Sequence, residues 1–296
     1  MNDRTQRVSK VRREWTEEKP KRKNMKPESV VVELTNHCNA RCEYCTNRFM
    51  KREKGFMSGD VFQKIIGECS NLKDLKSIEP QMHGEPTLHP EFMDYIRYIG
   101  LKVPHAKINL ISNGIFLTEE IVASVNHVDI SFNYADYIDF YVGTGLELIS
   151  VESKINSLKA YKDKITIHFV LTKETALDYF IIKDTFPDFE VAVNPLFNTW
   201  NGRIPDRNYF NFTKKIECDR RKRQLVILWN GDAALCCNDY EGETTKDIGN
   251  IMDSSIEELF DKVYNYKGDF CKTCNSNVEV NFYPAMLSDA QYKEIK

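Results

Sequence analysis

Cys38-Asn39-Ala40-Arg41-Cys42-Glu43-Tyr44-Cys45 places three thiols inside one short loop, directly after the apolar run Val30-Val31-Val32-Glu33-Leu34. The run reads as a strand and the cysteines as the loop at its end. Thiolates this close together can reach one soft metal centre. A structural zinc wants four protein ligands, usually as two separated Cys-x2-Cys pairs, and this loop supplies three. A cubane iron–sulfur cluster held by three thiolates keeps one iron clear of protein, where a small molecule can bind and react. The spacing points to a reactive cluster. A zinc site and a plain surface group of cysteines are the other readings of the same residues.

The 296 residues allow one large domain, or one with a small appendage. A hydrophobic content of 42% with 17 Phe is ample for a core, and a net charge of −3 gives no general case for nucleic acid as a partner. No stretch approaches the roughly 20 apolar residues of a membrane span. Arg4, Arg7, Lys10, Arg12 and Arg13 open the chain with no apolar run behind them, which argues against a signal peptide. Nine cysteines in an unexported chain suggest a reducing compartment, the cytoplasm, and metal binding rather than disulfides. Residues 1–29 are basic and polar and read as a flexible tail.

From residue 30 strands and helices alternate. The candidate strands are 30–35, 77–83, 107–112, 127–133, 164–171 and 190–194. Ser58 can cap a helix with Phe62, Ile65, Ile66, Cys69 and Leu72 on one stripe. Pro90 opens a second with Phe92, Ile96 and Ile99 inward, and Thr118-Glu119-Glu120 a third. Leu148, Ile155 and Leu158 mark a fourth, and residues 176–186 a fifth. Such alternation implies parallel strands joined by right-handed crossovers. Parity within the strands separates the parallel architectures. Glu79, Gln81 and His83 share one face, as do Asp129, Ser131 and Asn133, and Thr166 and His168; the opposite faces are apolar. A doubly wound sheet is apolar on both faces of its central strands, so a polar face fits an α/β fold of the partial-barrel kind, with polar side chains lining a cavity.

The cysteine loop matches Cys-x3-Cys-x-aromatic-Cys, with Tyr44 as the aromatic, and so resembles the radical S-adenosylmethionine (SAM) enzymes. That resemblance implies a [4Fe-4S] cluster on Cys38, Cys42 and Cys45 whose free iron chelates SAM. It implies reductive cleavage of SAM to a 5′-deoxyadenosyl radical, and a partial (β/α)6 TIM-like barrel. His83-Gly84-Glu85-Pro86 is similar to the family's Gly-Gly-Glu-Pro element, with His83 in place of the first Gly. It makes Gly84 and Glu85 SAM contacts. Ser112-Asn113-Gly114 resembles the element that hydrogen-bonds the SAM ribose, and Ser131 and Asn133 are further candidates.

Downstream, Cys218-x12-Gly231-x4-Cys236 precedes Cys271-x2-Cys274. Between them an Asn230-Gly231 turn reads as a hairpin, and Ser254-x-x-Glu257 as a capping box opening a helix with Leu259, Phe260 and Val263. The arrangement resembles the SPASM auxiliary-cluster module in its short form, twitch. It implies one auxiliary [4Fe-4S] cluster on Cys218, Cys236, Cys271 and Cys274; Cys237 is the alternative to Cys236. On spacing alone a structural zinc site competes. The expected domains are the tail 1–29, a radical SAM barrel 30–200 and an auxiliary-cluster domain 201–296.

A SAM-derived radical beside a second electron sink suggests net two-electron oxidation of a small polar substrate, a sugar or aminocyclitol-like alcohol. This resembles the butirosin aminocyclitol dehydrogenase type. Peptide maturation is the alternative, and an iron–sulfur electron carrier or redox sensor the alternative of another class. Removing a hydroxyl proton needs a base or a substrate-holding group, and His168 and Arg203 are the candidates. The implied partners are a small-molecule or peptide substrate and a flavodoxin- or ferredoxin-like electron donor.

Overall fold

The alternation of apolar strands and striped helices produces one open sheet wrapped by helices. The computed structural model describes residues 25–171, 175, 177–195, 214–215, 218–272 and 278–279. In chain order the first half runs β1 (Ser29–Val32), α1 (Gly59–Cys69), β2 (Ser77–Glu79), α2 (Phe92–Lys102), β3 (Lys107–Ser112), α3 (Glu119–Ser124) and β4 (His127–Ser131). Then come α4 (Tyr137–Thr144), α5 (Leu148–Ser157), β5 (Ile165–Leu171), α6 (Asp178–Thr185) and β6 (Glu190–Pro195). Strands β1 to β6 pair in sequence and in parallel. The sheet does not close, as expected of a partial barrel.

The second half begins with the two-residue strand β7 (Lys214–Lys215), followed by α7 (Arg220–Arg223), β8 (Gln224–Ile227) and β9 (Ala233–Ala234). Next are α8 (Thr245–Ile248), α9 (Ile256–Tyr264) and β10 (Val278–Glu279), which pairs antiparallel with β7. β8 lies parallel to β1, and β9 turns back against β8, giving the order β6-β5-β4-β3-β2-β1-β8-β9. The second cysteine set is thereby carried on the barrel's own sheet. The hairpin at Asn230-Gly231 forms, with Gly231 at φ 89°, a conformation that suits glycine.

Helix starts follow the sequence closely. Ser58 accepts from Val61 N–H and Thr118 from Ile121 N–H. The capping box lies one residue later than Ser254–Glu257: Ser255 and Glu258 exchange the two bonds. The stripe Ile256, Leu259, Phe260 and Val263, all buried, sets the helix register and therefore which serine caps it. The helix over Tyr137–Thr144 is absent from the sequence reading, because its apolar residues show no stripe. Residues 25–29, placed in the tail from sequence, pack on the fold: Met25 touches the core and Glu28 N–H bonds Arg223 C=O at 2.7 Å.

The core sits between sheet and helices. Val30, Val32, Ile78, Leu110, Val128, Ile130, Ile167 and Phe169 face it and are fully or almost fully buried. The inner face is polar at Glu79, Gln81, Asn109 and Asp129, which line a cavity of about 550 Å³. Parity fails after Pro80. Strand β2 ends at Glu79, so Met82 packs on the inner face with Val31, Val226 and Leu228, while His83 turns into the cysteine loop. Among the described residues no helix is long and apolar enough to cross a membrane.

Phe132, just beyond β4, is fixed between Phe140 and Phe186 at ring separations of 5.0 and 5.1 Å. Phe132→Ala is expected to destabilise the protein by about 3–5 kcal/mol. Urea unfolding followed by circular dichroism measures it.

Candidate active site

Local geometry turns β1 into the cysteine loop and ties that loop down from several directions. Thr35 Oγ1 donates to Gly55 C=O at 2.7 Å, closing the return of the chain after the cysteines. Cys45 N–H bonds Cys42 C=O at 3.1 Å, a tight turn that brings these two thiols to one side. Arg41 N–H and Glu43 N–H bond the Thr144 and Gly143 carbonyls at the C-terminal end of α4, at 2.7 and 3.0 Å. Tyr134 Oη donates to Glu43 Oε1 at 2.7 Å. Asn113 Nδ2 donates to Asn39 Oδ1 at 2.9 Å, joining the end of β3 to the same loop.

Gly84 is where a side chain is impossible. A Cβ there would stand 2.3 Å from Thr35 O and 2.6 Å from His37 O. The backbone after β2 therefore lies directly on the cysteine loop, and Glu85 N–H bonds His37 C=O at 2.8 Å. The buried Glu85 carboxylate accepts from Thr87 Oγ1 at 2.6 Å, Ser112 Oγ at 2.9 Å and Asn113 N–H at 2.8 Å. Burial pushes its pKa up against the opposing pull of those bonds. Glu85 thus joins the loops after β2 and β3. Cys38, Cys42, Cys45, Tyr44, Gly84, Glu85, Ser112 and Asn113 are all gathered at the C-terminal ends of β1 to β3.

Cys38, Cys42 and Cys45 are all reduced and partly accessible. Burial pushes Cys38 up to about 11 and raises Cys42 and Cys45 as well; Cys45 and Cys38 add to the rise at Cys42. The three sulfurs therefore feel one another's charge, and a thiolate set here calls for a cationic centre. The Tyr44 hydroxyl is buried with no hydrogen-bond partner among the described residues, a polar atom left for a bound group. The residues fit an iron–sulfur cluster with a cofactor beside it.

Ser131 and His168 stand opposite each other on β4 and β5, on the inward face. His168 Nε2 lies 3.0 Å from Asp129 Oδ1, and His127 Nε2 lies 3.0 Å from the same oxygen. Asp129 was legible only as one member of the polar face; its pairing with two histidines needs the register of β4 against β5. Arg203 and Cys274 lie outside the described residues.

In the second cysteine set, Arg220 Nη1 donates to Cys237 Sγ at 2.8 Å. Negative charge on Cys237 raises the Arg220 pKa against the effect of burial, and Cys236 and Cys218 contribute in the same direction. Arg220 is thus held against the Cys237 sulfur, with Cys236 and Cys218 within electrostatic reach. A second cavity, of about 530 Å³, shares Glu79, Gln81 and Ile111 with the first and reaches Arg220 and Cys237.

The two cysteine sets are also strapped together by residues that carried no motif. Glu33 is fully buried and pairs with Arg52. Arg52 Nε donates to Tyr240 C=O at 2.6 Å, and the Arg52 N–H bonds Glu241 Oε2 at 3.0 Å. Trp229 N–H bonds Glu33 Oε2 at 3.2 Å. A carboxylate inside an otherwise apolar strand was the one sequence signal for this strap.

Comparison with known proteins agrees with this geometry. The radical SAM superfamily matches residues 32–165, and the SPASM iron–sulfur cluster-binding domain matches residues 218–275. The chain belongs to the radical SAM enzymes, in the group that carries a SPASM domain. It uses a [4Fe-4S] cluster and SAM, with auxiliary iron–sulfur in the SPASM domain. It is 26% identical over 286 residues to the tungsten-containing aldehyde ferredoxin oxidoreductase cofactor-modifying protein of Pyrococcus furiosus. That match covers 78% of this chain and 80% of the relative. It is also 26% identical to the GTP 3′,8-cyclase of Cronobacter sakazakii, over 82% of this chain and 74% of the cyclase. In fold it is similar to BtrN in complex with AdoMet and 2-DOIA, with a TM-score of 0.61, 20% identity and coverage of 84% and 93%. SuiB of Streptococcus suis bound to its precursor peptide SuiA gives 0.66, 13%, and coverage of 93% and 75%.

Gly84→Ala is expected to push the β2 loop off the cysteine loop. Iron bound per reconstituted chain should fall by roughly half, as one of two cubane clusters is lost. Iron analysis beside circular dichroism checks this.

Proposed function

We propose that the protein oxidises a small polar alcohol, sugar-like or aminocyclitol-like, by hydrogen abstraction followed by loss of a second electron to one auxiliary cluster. The observation that carries this reading is the polar cavity. It reaches Asp129 on the inner wall of the barrel and adjoins, through Glu79, Gln81 and Ile111, a more apolar cavity that reaches Arg220 and Cys237. A substrate held there lies on the inner wall of the barrel, beside Arg220 and Cys237 of the second cysteine set. The two relatives, a cofactor-modifying protein and a GTP cyclase, are also named for small molecules.

When bound, the cluster and SAM would supply the radical chemistry for abstracting a carbon-bound hydrogen, and the auxiliary cluster would supply an acceptor for the second electron. The chain's own residues do the rest. Cys38, Cys42 and Cys45 hold the SAM cluster. Tyr44, Gly84, Glu85, Ser112, Asn113 and Ser131 form the SAM cradle, with Glu85 acting mainly by fixing two loops. Cys218, Cys236, Cys271 and Cys274 hold the auxiliary cluster, since Arg220 already engages the Cys237 sulfur. His168 takes the hydroxyl proton, and Arg203 binds substrate. The boundary between barrel and auxiliary-cluster domain falls near residue 200, with the auxiliary domain lending β8 and β9 to the barrel's sheet. A flavodoxin- or ferredoxin-like protein delivers the first electron, in the cytoplasm.

The test is SAM cleavage by the anaerobically reconstituted protein with a strong reductant. 5′-Deoxyadenosine should form and should drop to background in Cys42→Ala. A panel of polyols, aminocyclitols and peptides then separates the substrate classes by which product is two hydrogens lighter. A peptide product would replace the alcohol reading with peptide maturation. A protein with iron at both sites and no SAM cleavage would be an electron carrier.

A further inference from the structure

The segment that carries the first cysteines is basic on a chain that is not. Between Cys38 and Phe56 stand five Lys/Arg against two Glu, whereas the whole chain has a net charge of −3. Arg52 is spent on the buried Glu33. The other four, Arg41, Arg48, Lys51 and Lys54, are exposed and have no carboxylate partner among the described residues. Two phenylalanines accompany them, Phe49 at 39% and Phe56 at 42% exposure.

These side chains belong to the loop that holds the sulfurs, not to a remote face. Arg41 adjoins Cys42 in the chain. Arg48 ends a single helical turn, Thr46–Arg48, and its N–H bonds Cys45 C=O at 3.3 Å. Lys54 Nζ donates to Asn47 Oδ1 at 2.8 Å. Burial raises the Cys38 and Cys45 thiols and the Lys54 charge opposes the rise at both, so this ammonium stands within electrostatic reach of the cluster ligands. Phe56 stacks on His37, the residue before Cys38, at a ring separation of 4.7 Å.

We propose that this basic, aromatic rim is the docking surface for a small acidic one-electron carrier protein. The inference rests on the reading that a protein delivers the first electron, and it names where that protein binds. One electron leaves the reduced carrier and enters the cluster on Cys38, Cys42 and Cys45; no bond forms and no proton moves. Such a handover needs proximity and a brief encounter more than a wide interface, and electron-transfer pairs bury less than about 1,200 Å² in total. Unpaired cations attract and orient an acidic partner, which raises the association rate more than the affinity. The exposed rings supply apolar contact once the two surfaces meet.

The test measures association of the reconstituted protein with a bacterial flavodoxin and, separately, a bacterial ferredoxin, by surface plasmon resonance at low and high salt. At least one carrier should bind, and binding should slow as salt shortens the screening length from about 10 Å at 0.1 M to about 3 Å at 1 M. The double variant Arg48→Glu/Lys51→Glu should slow association on the order of tenfold. Lys73→Glu/Lys162→Glu makes the same change of charge at exposed lysines preceding β2 and β5, at the other end of the barrel, and should leave association unchanged. SAM cleavage then separates docking from chemistry. Driven by dithionite, Arg48→Glu/Lys51→Glu should match the parent protein; driven by a limiting amount of the reduced carrier, it should fall on the order of tenfold. Binding by neither carrier, binding indifferent to salt, or an equal loss in the Lys73/Lys162 variant would overturn the proposal. So would an equal loss of cleavage with dithionite, which would assign Arg48 and Lys51 to the cluster site itself. A parent protein that cleaves no SAM with dithionite would defeat the functional reading, while carrier binding still decides this one.

Discussion

The active site depends on backbone touching backbone at Gly84. The loop after β2 lies so close to the carbonyls of Thr35 and His37 that no side chain fits between them. That contact fixes the cysteine loop relative to the second strand, and the bond from Glu85 N–H to His37 C=O locks it. Glu85 then reaches sideways to Ser112 and Asn113, so the third strand's loop is set from the second. Three loops that would otherwise move separately become one rigid rim. A rigid rim is what a reactive centre needs, since small displacements of reacting groups cost large factors in rate.

The second cysteine set is positioned by the same economy of elements. β8 adds to the sheet beside β1, so both cysteine sets are referenced to a single strand. At its end, Glu33 is buried and paired with Arg52, which reaches on to Tyr240. A buried ion pair contributes little net stability over an apolar pair, but breaking one partner leaves an uncompensated charge. Its effect here is geometric. It admits only one placement of the segment after the cysteines against the segment after Cys236 and Cys237.

The barrel and the cysteine chemistry were legible because each follows a short-range rule: thiol spacing within a loop, apolar stripes, and alternation along a strand. Ser58, Thr118 and the Asn230-Gly231 turn are local signals, and the structure uses them as read. The rule failed where a nonlocal contact decides. Alternation along β2 stops at Glu79 because Pro80 follows and the chain is needed on the cysteine loop, so Met82 and His83 exchange their expected sides. The helix at Tyr137–Thr144 has apolar residues all round, with Ile138 and Val142 exposed and Phe140 buried, and so shows no period. Asp129 was legible as one member of the polar face, but its partner His168 becomes a neighbour only through the pairing of β4 with β5.

The departure at His83 has a physical reason in these terms. A glycine there would leave space between the SAM rim and the auxiliary segment. The imidazole fills it, edge-on to Tyr240 at 6.1 Å, with Nδ1 3.2 Å from Thr46 Oγ1 and the ring facing the Cys237 backbone. Burial, helped by the nearby Arg52 charge, pushes its pKa down to about 3, so the ring is neutral at any working pH. A neutral ring adds contact between the two cysteine sets without adding a charge beside either. A lysine or arginine in the same place would bring a cation that burial and Arg52 both oppose. The substitution therefore trades glycine's freedom, which Gly84 alone still needs, for a spacer that stiffens the route between the two metal sites.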